Sequence, residues 1–202
     1  MLTDTLPKGK KSRTKEKIFR TAMSLFLEQG YENTTVQQIT EQAEVAKGTF
    51  FSHFPTKDSI LTFLGEQRIA LMKEHLTDKL YAIPSPREKL LGLFDILARE
   101  NEKDKKITKL IFYERLKTLY SPEFANESKN QMELKKIMES ILTSGQKTGE
   151  FREDFQAGTV ADILYGIYFF TLFQWLATEQ PSSLNKEYHE RVSIVLKGIS
   201  LD

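Results

Sequence analysis

The sequence predicts an all-α protein of about nine helices, on three observations. Apolar residues recur at three- and four-residue spacings through most of the chain. Residues that start helices (Ser, Thr and Pro) precede those stretches, and Gly30 and Gly149 end two of them. No segment shows the polar–apolar alternation of a half-buried strand. At 202 residues, 40% hydrophobic and 28% charged, the chain has room for one or two domains and a sizeable core. It has no cysteine, which excludes disulfides and thiolate metal sites and suits a reducing cytoplasm. The N-terminal segment MLTDTLPKGKKSRTK has no apolar run behind it, so no secretory signal is expected.

Taken in order, residues 1 to 11 are expected to form a disordered basic arm, punctuated by Pro7 and Gly9. A helix follows from Ser12 or Arg13 to Gln29, with Ile18, Ala22, Leu25 and Phe26 on one face and Gly30 as its left-handed cap. Pro55-Thr56 breaks the chain, and Thr56 caps a long helix reaching toward Leu80. Ser85-Pro86-Arg87-Glu88 reads as a capping box that opens a helix to about Asn101, and another runs from Lys105 to Leu119. Ser121-Pro122 starts a stretch broken near Asn126 that continues to Lys147. The last helix, about Asn185 to Ile199, carries Tyr188, Val192, Val195, Leu196 and Ile199 on one stripe. The domain division expected is 12–55 and 56–202.

The stretch TTVQQITEQAEVAKGTFFSHFPTK, Thr34 to Lys57, reads as two short helices joined by a tight turn, with a third starting at once. Either Thr34 with Gln37 or Thr35 with Gln38 satisfies the reciprocal capping pattern. Val36, Ile39 and Ala43 give the first helix one apolar face, and Val45 plugs the turn. The second helix, Lys47 to His53, buries Phe50 and turns Gly48 and Ser52 outward, flanked by Lys47, Thr49 and Phe51. A small outer face with polar shoulders suits close approach to a major groove. Lys8, Lys10, Lys11, Arg13, Lys15, Lys17 and Arg20 stand against Glu16 alone just ahead of it, an electrostatic footprint for phosphate in which Arg13 is the contact assigned. Lys57 is badly placed for a helix dipole and well placed for a phosphate.

Arg20, Ala22, Leu25-Phe26, Gly30-Tyr31, Thr34-Thr35-Val36, Ile39, Ala43, Val45-Ala46-Lys47-Gly48-Thr49-Phe50-Phe51, Phe54 and Lys57 together resemble the N-terminal helix-turn-helix of TetR/AcrR-type transcriptional regulators. The resemblance covers residues 13 to 62. It implies a dimer that reads an inverted repeat in double-stranded operator DNA, most often as a repressor, and is released by a small molecule bound among the central helices, which tilts the helix starting at Thr56. It implies phosphate contacts from Thr35 and Lys57, base-edge contacts from Lys47, Gly48 and Thr49, and a backbone contact from His53. Two positions depart from the family pattern: Phe51 stands where Tyr is usual, and Ala46 where a capping Ser is common. Those departures support the alternative, a dimeric helical module binding a small molecule or a protein and no longer reading DNA sequence. The setting implied is the bacterial cytoplasm, on the nucleoid when bound to an operator.

Beyond residue 65 the sequence carries apolar pattern rather than motif. From Ile163 to Ala177 no residue is charged and the helix is apolar nearly all round. That uncharged run is shorter than the roughly 20 residues of a membrane span, so coverage by a second chain is expected instead. Ile163, Ile167, Phe170, Val192 and Leu196 are the interface residues assigned, the last two long helices of each chain forming a four-helix homodimer contact in the manner the resemblance implies. Phe112, Tyr113, Tyr168 and Phe169, with Phe170 and Phe173, point to an apolar or aromatic effector. His53, His75 and His189 are too scattered for a metal site, and no phosphate-binding glycine loop or nucleophile elbow occurs. No cofactor and no enzymatic activity are expected.

Overall fold

The computed structural model describes residues 10–68, 82–118, 124–179 and 182–201. Among them are nine helices, α1 (Lys10–Gln29), α2 (Val36–Gln42), α3 (Lys47–His53), α4 (58–68), α5 (Pro86–Glu102), α6 (Lys105–Thr118), α7 (Phe124–Lys147), α8 (Ala157–Ala177) and α9 (Leu184–Ile199). The chain divides into two compact units, Met1–Gly65 and Glu66–Asp202. That boundary lies within α4, ten residues beyond the expected one, because Ile60, Leu61, Phe63 and Leu64 are buried in the first unit. The arm expected over 1–11 is shortened in the same way: α1 is already helical at Lys10, and residues 1–9 lie outside the described ones. So does the stretch 69–80 of the long helix expected from Thr56.

In the first unit, α1 buries Ile18, Phe19, Ala22, Met23, Leu25 and Phe26 on the predicted face. Gly30 ends it at φ +90°, a conformation that costs glycine little and other residues much. Tyr31 then packs edge-on against Phe26, with ring centroids 4.9 Å apart. Of the two capping options for α2, Thr35 with Gln38 is the one formed. Gln38 N donates to Thr35 Oγ1 at 3.2 Å, and Thr35 N donates to Gln38 Oε1 at 2.8 Å. Thr34 is buried instead, donating to the Gly30 carbonyl at 2.8 Å. Phe50 and Phe54 enter a core with Ile39, Ala43 and Phe63, Phe54 and Phe63 meeting at 5.8 Å. Each such ring removed from water stabilises the unit by about 1.5–3 kcal/mol. At the start of α4, Thr56 and Ser59 cap one another through N–H to Oγ bonds of 3.3 and 3.1 Å.

In the second unit, α8 packs against α7 and α9, and α5 against both α7 and α9. The inward face of α8 carries Val160, Ala161, Leu164, Tyr168, Thr171, Leu172, Trp175 and Leu176. Among the described residues α8 is the one helix long and apolar enough to cross a membrane, yet this face belongs to the protein core. α7 runs unbroken through Asn126, where a break was expected. Distant segments then close the unit. Glu150 Oε1, following α7, accepts from Ser85 Oγ at 2.5 Å and from Arg87 N at 3.2 Å, so it helps satisfy the N-terminus of α5. Phe151 and Ser200 form an isolated antiparallel bridge in which Arg152 N donates to the Ile199 carbonyl at 2.8 Å. Gly145 is required by that closure. A Cβ there would stand 2.1 Å from the buried Phe151 ring.

Candidate nucleic-acid interface

α3 is a helix its own residues do little to stabilise. Its N-cap, Ala46, makes no side-chain hydrogen bond, a deficit of about 1 kcal/mol against a hydroxyl cap. Lys47 puts a positive charge at the positive end of the helix dipole. Gly48 follows, costing a further ~0.5–1 kcal/mol relative to alanine in a helix. Burial of Phe50 and Phe54 and the turn before α3 hold it in place. Within that turn Glu44 adopts φ +49°, Val45 N donates to the Thr40 carbonyl at 3.0 Å, and Lys17 Nζ reaches Glu44 Oε2 at 2.8 Å. That lysine keeps the exposed Glu44 carboxyl below the ordinary glutamate range, chiefly through the hydrogen bond.

What α3 presents outward is Lys47, Gly48, Phe51 and Ser52, all exposed, with Thr49 and His53 half-buried beside them. Phe51 is 50% exposed and rests edge-on against Phe50. Ser52 Oγ is turned back to the Thr49 carbonyl at 2.8 Å. A Cβ built on Gly48 meets nothing within 4 Å, and its φ is not positive. Among the described residues, therefore, neither packing nor backbone conformation calls for glycine here. Arg13 is exposed on α1, and Thr35 is exposed at its capping position on α2.

Lys57 is placed differently from the expectation. Its Nζ donates to the carbonyls of Tyr31 at 2.8 Å and Thr34 at 2.9 Å, and lies 4.1 Å from the Tyr31 ring centroid. The charge that looked misplaced for a helix dipole is bound to the α1–α2 loop. Tyr31 also donates through its hydroxyl to Asp58 Oδ1, fastening the same loop to the start of α4. Lys15 is turned inward too, its Nζ 3.9 Å from the Phe63 ring centroid.

The second unit separates the remaining assigned residues. Phe112 is buried and lies against Phe169 at 4.8 Å and Phe173 at 6.1 Å, so α6 and α8 meet through aromatic rings. Tyr168 is buried and stacked on Tyr188 at 6.0 Å, whose hydroxyl donates to the Tyr168 carbonyl. Burial and the neighbouring Tyr168 push the Tyr188 phenol well above the ordinary tyrosine range. Tyr113 stands on the surface, 43% exposed. A polar surface groove of about 440 Å³ along α7, lined by Lys136, Glu139, Ser140 and Thr143 among others, includes none of these aromatic residues.

Of the five residues assigned to an interface, Ile163 and Phe170 are 50% and 57% exposed, and Ile167 is half-buried. Val192 and Leu196 are fully buried in the core of their own unit and have no surface to offer. The stripe on α9 that the sequence displayed is spent on α5 and α8. Exposed apolar surface instead includes Phe173 on α8 and Ile194 on α9. Arg68 was missed altogether. Its signal is its register, since it shares a face of α4 with the buried Ile60 and Leu64, where an arginine is out of place.

The chain matches two family models. The one described as bacterial regulatory proteins, tetR family, covers residues 18–62. The one described as TetR/AcrR family transcriptional repressors, C-terminal domain, covers residues 66–198. Among similar solved structures is FadR of Thermus thermophilus, a TetR-family repressor in complex with lauroyl-CoA. It is 30% identical, with 93% of this chain and 96% of that one covered at a TM-score of 0.77. The fatty acid metabolism regulator protein of Bacillus subtilis is 25% identical over 189 residues, which span 90% of this chain and 93% of that protein. The transcriptional repressor KstR2 of Mycolicibacterium smegmatis is 25% identical over 187 residues, 92% and 90% of the two chains.

Proposed function

The chain belongs to the TetR family of bacterial transcriptional regulators, and from that premise we propose that it is a dimeric repressor reading a two-fold operator through α3 and released by a long-chain acyl thioester. That it is a ligand-responsive, DNA-binding regulator follows from the family and its repressor relatives. The observation that carries the operator assignment is the outer face of α3. Lys47, Thr49 and Ser52 surround a glycine that nothing among the described residues requires, which fits close approach to base edges in a major groove. Phe51, in place of a tyrosine, offers an apolar contact to a thymine methyl rather than a hydrogen bond to phosphate. Arg13, Thr35 and His53 add contacts to the phosphate backbone.

The dimer would form through the outer face of α8, where Ile163 and Phe170 are joined by Phe173, with Ile194 of α9 beside them in place of Val192 and Leu196. Two-fold symmetry then places the two α3 helices on half-sites one helical turn, about 34–36 Å, or a multiple of it apart. The acyl-thioester effector is supported by the lauroyl-CoA bound to the Thermus relative and by the name of the Bacillus one. The aromatic contacts of Phe112, Tyr168 and Phe169 are where its apolar chain would lie, with Tyr113 at the surface.

The test uses the DNA beside the protein's own gene. Purified full-length protein should protect an inverted repeat there from nuclease, bind as a dimer by light scattering, and lose that protection on titration with lauroyl-CoA but not with coenzyme A alone. Protection of random duplex equal to that of the repeat defeats the operator assignment. Protection that survives saturating lauroyl-CoA defeats the effector assignment.

A further inference from the structure

Arg68, the last described residue of α4, is a half-buried cation with an unusual set of partners. Its Nη1 donates to Thr108 Oγ1 at 2.8 Å and its Nη2 to the Glu100 carbonyl. Both acceptors are neutral. The two carboxylates close enough to favour its charge are committed elsewhere: Glu100 to Lys103 at 2.5 Å, and Asp104 Oδ1 to the Ile107 N–H at 3.0 Å. Burial is the largest influence on the guanidinium and holds it below the ordinary arginine range. A structural latch between α4 and the α5–α6 corner needs only two N–H donors. The neutral amide of glutamine has two and would not take a full charge out of water. Of the five N–H donors of Arg68, described residues take two, one on each terminal nitrogen, and a guanidinium can offer the others to a planar or tetrahedral anion.

Another polar group in this unit has no hydrogen-bond partner among the described residues. Thr171 on α8 is 1% exposed, and its hydroxyl has no hydrogen-bond partner among the described residues. Buried hydroxyls are satisfied in the great majority of cases, so an orphan asks for an explanation. Thr171 lies one turn beyond Tyr168 on the inward face of α8. Thr108, which holds Arg68, is one turn before Phe112, whose ring lies against Phe169 of α8. Arg68 of α4, Thr108 and Phe112 of α6, and Phe169 of α8 thus form one run of neighbouring charged, hydroxyl and aromatic groups in this unit.

We propose that Arg68 is the anion-binding group of the effector site, taking a phosphate or carboxylate of an otherwise apolar ligand, with Thr108 and Thr171 as further hydrogen-bonding groups and Phe112 and Phe169 against its apolar part. This rests on the effector reading above and adds to it the chemistry of the ligand's polar end. The guanidinium is then already partly desolvated and oriented for an anion that arrives with the ligand.

The experiment compares matched anionic and neutral probes on the full-length protein by titration calorimetry. Laurate against dodecanol isolates a carboxylate, and lauroyl-CoA against S-lauroyl-pantetheine isolates the phosphates. Wild type should prefer the anionic member of one pair by roughly tenfold or more, and which pair does so identifies the source of the anion. R68Q should abolish that preference while leaving the neutral probe within about threefold of wild type. R68K keeps a point charge without the fork, and should weaken the anionic probe alone, by less than R68Q. If R68Q does not fold by circular dichroism, R68K decides. Equal losses for both members of a pair, no preference in wild type, or no binding of any probe overturns the proposal. Wild-type protein that binds its operator but shows no anion preference removes this inference alone. Protein that binds lauroyl-CoA through Arg68 without releasing DNA removes the effector reading and leaves the site.

Discussion

Substituting Gly48 by alanine separates what α3 does for the fold from what it does outside it. Position 48 lies in a helix with ordinary φ, and an added Cβ meets nothing within 4 Å, so no steric term opposes alanine. The backbone-entropy advantage of alanine over glycine then appears in full, about 0.5–1 kcal/mol of added stability. It is larger in consequence here than in a longer helix, because α3 has only 7 residues and no side-chain cap. In urea or thermal unfolding, G48A should therefore be as stable as wild type or more stable, with an increase of at most a few degrees in Tm. Operator binding should move the other way. A methyl group on the face that approaches the bases displaces the helix outward, and a tenfold or greater loss of affinity, about 1.4 kcal/mol, is expected in a fluorescence-anisotropy titration at fixed salt. A stabilised protein with weakened DNA binding is the expected signature. Unchanged operator affinity would show that this face does not approach DNA closely, and a destabilised G48A would show that glycine is needed within the fold after all.

Lys57→Ala should destabilise the first unit by about 2 kcal/mol through two carbonyls left without their charged donor, with a further ~0.5–1 kcal/mol from the lost contact with the Tyr31 ring. Its slope of log affinity against log salt should stay near wild type, and a slope reduced by about one unit would restore a phosphate contact to Lys57. Phe170→Asp should convert a dimer into a monomer at micromolar concentration by light scattering without loss of helicity, since that ring is 57% exposed within its own chain. Retention of the dimer would place the interface elsewhere. Hydrogen bonds from Ser182 and then Arg191 hold the Glu187 carboxyl below the ordinary glutamate range. The stability it contributes is present above that range and is lost as pH falls through its lowered value. Wild type should therefore exceed Glu187→Gln in urea midpoint at neutral pH, with the gap closing on acidification. A gap independent of pH would refute that origin.

Much of the first unit was legible because its determinants are local. The spacing of Ile18, Ala22, Leu25 and Phe26 fixes the buried face of α1. Gly30 at positive φ, Thr35 with Gln38, and Ala46 without a cap each act within a few residues of where they stand. The outward position of Gly48 and Ser52 follows from helical geometry once Phe50 is inside. Lys57 escaped the same reasoning because its partners, the carbonyls of Tyr31 and Thr34, lie 26 and 23 residues earlier in the chain. A helix dipole is a local argument, and two carbonyls brought to the ammonium by the fold outweigh it.

The sequence by itself determined the class: an all-helical chain with a helix-turn-helix, a basic approach to it, and an apolar helix with more hydrophobic surface than one side of a core needs. Those properties are periodicities and short spacings, which the covalent chain carries whatever the fold does with them. Tertiary structure decided how each apolar stripe and each inward-turned cation was used. Val192 and Leu196 form a stripe that looks as available as that of Ile163 and Phe170, yet α5 and α8 cover the first pair and leave the second exposed. Glu150 caps a helix begun 65 residues earlier, and Arg68 gives its charge to neutral oxygens of Thr108 and Glu100. Hydrophobicity states that a surface must be covered, and charge that it must be compensated. Which group does the covering or compensating is settled only when segments distant in sequence are packed together.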